Sequence, residues 1–72
     1  MDKGVLLKKL GARIRDIRNQ KGITQTQLAH SLDKDQPSIN RLENGKINPS
    51  YYYLVEIATG LGVTIGDIFK EL

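Results

Sequence analysis

The segment Gln36-Pro37-Ser38-Ile39-Asn40-Arg41-Leu42 concentrates side chains that can read hydrogen-bond patterns. Glutamine and asparagine amides match the donor and acceptor edge of adenine. An arginine fork matches the two acceptors of guanine, and a proline ring offers apolar contact to a thymine methyl. Ile39 and Leu42, three residues apart, mark the inward side of a helix, which leaves Gln36, Pro37, Ser38, Asn40 and Arg41 on its outer side. Polar helix faces are ordinarily just solvated. This one is nearly free of charge pairs and lies between an amide-rich helix start and a basic first helix, which favours a platform that reads base edges.

Reading bases also requires a grip on phosphate, which fixes register and supplies much of the affinity. Gln25, in the first turn of a helix, is placed for an anion. Asn44, Lys46 and the backbone after Gly45 can hold a second phosphate from the far end of the reading helix. Lys34, Arg13 and Arg15 are further candidates, with plain solvation as the alternative for each.

These side chains must be positioned by helices, because only helical periodicities occur. Leu7, Leu10, Ile14 and Ile17 repeat at i, i+3, i+7 and i+10, which predicts an amphipathic helix over 5–21, stopped at Gly22. Thr24 and Gln27 form a capping box flanked by an Ile23 and Leu28 staple, which predicts a helix over 25–32. Asp35 caps a third over 36–44, with Pro37 tolerated in the first turn and Asn44-Gly45 as the stop. Leu54, Ile57, Ala58 and Leu61 define a fourth over 51–61, and Thr64 with Asp67 starts a fifth over 65–71. The fold class is therefore all-α: a compact five-helix domain spanning residues 1–72.

A chain of 72 residues encloses one core at most and needs an efficient core, a partner, or both. It contains no cysteine, which removes disulfides, thiolate metal sites and cysteine nucleophiles from consideration. His30, the single histidine, has no second ligand at metal spacing. Neither a nucleophile and base pair nor a phosphate-cradling glycine loop is visible, so an enzyme, a cofactor and a small-molecule ligand are not expected. No apolar run reaches bilayer length and the N-terminus does not read as a signal peptide, so a cytoplasmic protein is expected. Up to Lys46 there are ten Lys and Arg against five acids, and from Ile47 onward one lysine against three acids. The positive field thus belongs to the part that would face a polyanion.

From Leu10 to Phe69 the chain resembles the Cro and phage-repressor type of helix-turn-helix proteins. The motifs that carry the likeness are Ile14-x-x-x-Arg18, Ile23-Thr24-Gln25-x-x-Leu28-Ala29, Ile39-x-x-Leu42-Glu43-Asn44-Gly45-Lys46, and Pro49-Ser50 with Ile57-Ala58-x-x-Leu61-Gly62-Val63. The resemblance implies a lambda-repressor-like fold whose second and third helices form the helix-turn-helix, and a transcription regulator that binds double-stranded DNA. It further implies that Gln25 binds phosphate, that Gln36, Pro37 and Arg41 face base edges, and that Ser38 and Asn40 sit at the edge of the contact. Arg18 and Glu43 correspond to an ion pair that ties the first helix to the third, with simple solvation of Glu43 as the alternative. Two departures stand out: Asp33-Lys34 replaces the usual glycine and apolar residue in the turn, and Pro37 replaces a hydrogen-bonding side chain.

Ile65, Ile68, Phe69 and Leu72 gather apolar surface at the C-terminal end, where no positive charge accumulates. A homodimer through this segment would present two reading helices to a near-palindromic operator; the alternative is that these residues close the monomer's own core. Rival functions are a protein-interaction module and an RNA-associated adaptor that keep the fold without specific DNA reading.

Overall fold

The computed structural model describes residues 2–70 and Leu72 and contains five helices in the order α1 (Lys3–Gln20), α2 (Gln25–Ser31), α3 (Gln36–Glu43), α4 (Tyr51–Leu61) and α5 (Ile65–Phe69). No strand is present among the described residues. The first helix starts earlier than its apolar periodicity predicts, because Asp2 caps it by accepting hydrogen bonds from the Gly4 and Val5 amides. Helices α1, α2 and α3 each end slightly short of the sequence expectation. Helix α5 ends at Phe69, and Glu71, expected within it, lies outside the described residues.

Both capping boxes form. The Gln27 amide donates to Thr24 Oγ1 at 3.0 Å and the Thr24 amide donates to Gln27 Oε1 at 2.9 Å; Thr64 and Asp67 repeat the exchange at the start of α5. Asp33 takes up the left-handed turn between α2 and α3 with φ of 59°, the one positive value at a described non-glycine residue. Aspartate tolerates that conformation better than most residues, so the turn survives without its customary glycine.

The helices enclose a core of Leu10, Ile14, Ile17, Leu28, Ala29, Ile39, Leu42, Leu54, Ile57, Ala58, Leu61 and Ile68. Ile14, Leu28, Ile39, Ile57 and Ile68 have no solvent exposure. Helices α2 and α3, of seven and eight residues, are too short to be stable alone, so this shared burial, rather than helix propensity, holds them at a fixed mutual angle.

Two caps make stability acid-sensitive. The Ser38 side chain and then its amide hold the Asp35 carboxyl below its ordinary 3.8, and the Thr64 amide and then its hydroxyl do the same for Asp67. A carboxylate depressed in the folded state contributes stability above its unfolded value and loses it as pH falls through the folded one. Acid unfolding followed by circular dichroism should therefore be shallower for Asp35→Asn, which keeps an oxygen cap but cannot be protonated. Identical acid transitions for variant and parent would remove the cap from this account.

Candidate nucleic-acid interface

Helix α3 turns Ile39, Leu42 and Glu43 inward and leaves Pro37, Asn40, Arg41 and Asn44 exposed, with Gln36 and Ser38 half-buried. No segment of the described chain covers Asn40 or Arg41. The uncovered face is polar but internally organised. Arg41 Nη2 donates to Ser38 Oγ at 3.2 Å, and Asn44 Nδ2 donates to Asn40 Oδ1 at 3.1 Å.

Beneath this face sits a buried ion pair. Arg18 Nε donates to Glu43 Oε2 at 2.6 Å and Arg18 Nη2 to Glu43 Oε1 at 3.0 Å, a bidentate fork from α1 to the end of α3. The third guanidinium nitrogen donates to the Ile23 carbonyl at 2.8 Å. Arg18 thereby fastens α1, the lead into α2, and α3 together, and it neutralises the carboxylate at the end of α3.

Gln25 couples this pair to the outer face. Its Nε2 donates to Glu43 Oε1 at 2.9 Å, while its Oε1 accepts from Gln36 Nε2 at 2.6 Å and from Asn40 Nδ2 at 3.4 Å. The side chain expected to be free for phosphate is thus largely engaged, with one Nε2 hydrogen left over. A cleft lined by Asn19, Thr24, Gln25, Thr26 and Gln36 opens beside it.

Two of the expected phosphate ligands are committed elsewhere. Arg13 donates from Nε and Nη2 to the Asp67 carbonyl, at 3.1 and 2.9 Å, which ties it to α5. Lys34 bonds to Glu56 Oε1 at 3.0 Å and lies 4.5 Å above the Tyr53 ring, so its charge is neutralised on α4. Lys46 is exposed just past the end of α3. Two α1 cations flank the same end: Lys8 and Arg15 line a groove with Glu43 and Asn44. Lys8 was not legible as a site residue, although its spacing of seven from Arg15 puts both on one side of α1.

Of the apolar residues expected at a dimer surface, Ile68 has no exposure and Ile65 packs against the core. Both close the monomer's own interior, because α5 turns that side onto α1 and α4. Phe69 at 45% and Leu72 at 48% exposure remain outside. Among the three tyrosines, Tyr51 and Tyr52 are exposed and Tyr53 is half-buried. Burial pushes the Tyr53 hydroxyl upward from its ordinary range, opposed by the charge of Lys34.

Comparison with known proteins agrees with this geometry. The profile of the helix-turn-helix family matches residues 14–68. The control protein C.MunI of Mycoplasma sp is 31% identical over 65 residues, 89% of this chain and 88% of that protein. The immunity repressor of Bacillus phage phi105 is 32% identical over 62 residues, 86% of this chain but only 43% of the repressor. Among solved structures, the restriction-modification controller protein C.AhdI from Aeromonas hydrophila superposes with a TM-score of 0.87 at 31% identity, over 90% of this chain and 98% of that one.

Proposed function

The chain belongs to the helix-turn-helix family of DNA-binding transcription regulators, and on that premise we propose that it reads a specific duplex sequence in the major groove with α3. Gln36, Pro37, Ser38, Asn40 and Arg41 supply the base-facing groups. The remaining Gln25 hydrogen, Asn44 and Lys46 hold the phosphates, with Lys8 and Arg15 contributing positive field at the far end of α3. The observation that carries this reading is the uncovered outer face of α3 lying beside Gln25 on a rigid support. The regulator is a cytoplasmic repressor or controller rather than an enzyme, in keeping with its family and with relatives named as control and repressor proteins.

Phe69 and Leu72 are the surface through which two copies pair, placing two reading helices about 34 Å apart on a near-palindromic operator. Sedimentation showing only monomer at high micromolar concentration, with and without DNA, would remove the dimer but not the reading helix.

Selection from a random duplex pool, followed by salt titration of the selected site, tests the function. A regulator that neutralises several phosphates loses affinity with a log-log slope of several units. Preference for RNA, or no enrichment of any duplex, would support the adaptor alternatives instead. Within the selected site, Arg41→Ala should lose about 1–3 kcal/mol of discrimination at one or two base pairs. A uniform loss across all sequences would place Arg41 on phosphate rather than on a base.

A further inference from the structure

The hydrogen bonds around Gln25 run in one direction. Asn44 donates to Asn40, Asn40 and Gln36 donate to Gln25, and Gln25 donates to Glu43, which also receives Arg18. The sense of this chain is fixed by chemistry at its inner end, because a carboxylate flanked by a guanidinium has only acceptors to offer. Gln25 must therefore turn its amino group to Glu43 and its oxygen to α3. An amide that ended on a neutral partner could sit either way round.

We propose that Glu43, although 2% exposed, is a positioning residue for base discrimination: through Gln25 it fixes the amide of Gln36 so that α3 accepts adenine and rejects guanine at one base pair. The inference rests on the DNA-reading function above and deepens it. With one amide hydrogen held by Gln25, Gln36 presents its oxygen and one remaining hydrogen outward. That pair matches the N6 donor and N7 acceptor of adenine. Guanine offers O6 and N7, both acceptors, and would need two hydrogens from an amide that has one to spare.

The base pair concerned is first located as the one whose preference disappears in Gln36→Ala. Affinities for A·T and G·C duplexes at that position are then compared for the unsubstituted protein, Glu43→Gln and Gln25→Met. Glu43→Gln keeps the volume but can present either end of an amide, so the orientation of Gln25 is no longer imposed. Its adenine-to-guanine ratio should fall about tenfold, over and above any loss shared equally by unrelated duplex through the Gln25 phosphate contact. Gln25→Met, which removes the acceptor for Gln36, should lower the ratio similarly. A folded Glu43→Gln protein with an unchanged ratio overturns the proposal.

Should Glu43→Gln fail to fold, isotope-labelled unsubstituted protein decides the matter. A scalar coupling across the hydrogen bond from the Gln25 side-chain nitrogen to the Glu43 carboxyl carbon supports the relay, and its absence overturns it. The two levels fail differently. If no duplex is enriched, DNA reading falls and takes the inference with it; if a duplex is enriched without adenine at the Gln36 position, only the inference falls.

Discussion

Glu43→Ala should unfold the protein more readily by about 3–5 kcal/mol, the cost of leaving a buried guanidinium without its partner. The Arg18 and Glu43 side chains are only 10% and 1% exposed, so neither can recover hydration by a rotamer change. Arg18 would keep its bond to the Ile23 carbonyl, but one neutral acceptor does not compensate a full charge. For a domain of this size the melting temperature should fall by more than about 12 °C. The double variant Arg18→Met with Glu43→Leu should recover most of this loss, because no stranded charge remains and apolar side chains of similar bulk fill the space. Chemical denaturation of the parent, the single variants and the double variant measures the coupling directly. A melting temperature for Glu43→Ala equal to the parent's would mean that water reaches the pair.

The double variant also separates two roles that one residue performs. If stability returns while adenine discrimination does not, the ion pair is needed for orienting Gln25 rather than for holding the fold. Retention of a buried pair that apolar residues could replace then has a functional cause, namely the definite direction it imposes on the amides above it.

What could be read from the sequence is what depends on near neighbours along the chain. The Thr24 and Gln27 box, the Asp35 cap, the Gly22 and Gly45 stops and the Ile39 and Leu42 face are all encoded within a few residues, where cap chemistry and helical period leave little choice. Long-range partners were a different matter. Arg18 and Glu43 are 25 residues apart and were matched only through family resemblance. Gln25 was read as free because its partners stand 18, 11 and 15 residues away, on an element whose rotation the periodicity does not give. The bond of Arg13 to Asp67, 54 residues on, is illegible for the same reason, since it depends on where α5 docks. Ile68 illustrates a third limit. Apolar residues at a chain end satisfy either a partner or the chain's own core, and only the packing of α5 decides between them.

Gly11 shows how far a local reading can mislead. Within α1 it counts as a weak point, since alanine there would favour the helix by about 1 kcal/mol. In the fold its absent side chain lets α1 come close against the backbone at the end of α3. A Cβ built there would stand 2.5 Å from the Leu42 carbonyl oxygen and 2.7 Å from the Glu43 carbonyl carbon, with the Glu43 oxygen also in the way. These are backbone atoms at the helix end that carries Glu43, so they cannot step aside as a side-chain tip can. The overlap should cost about 3 kcal/mol or more, exceeding the helix-propensity gain and leaving Gly11→Ala destabilised by about 2 kcal/mol. Gly60→Ala is the control, because the nearest atoms its Cβ would meet are the side-chain ends of Leu28 and Leu32; its propensity gain should offset most of the crowding. Separating α1 from α3 also lengthens the Arg18 to Glu43 fork, so Gly11→Ala should weaken adenine discrimination even at temperatures where the protein stays folded. Equal stability for the two alanine variants would show that α3 is free to slide along α1, and a platform that slides could not hold Gln36 in one orientation.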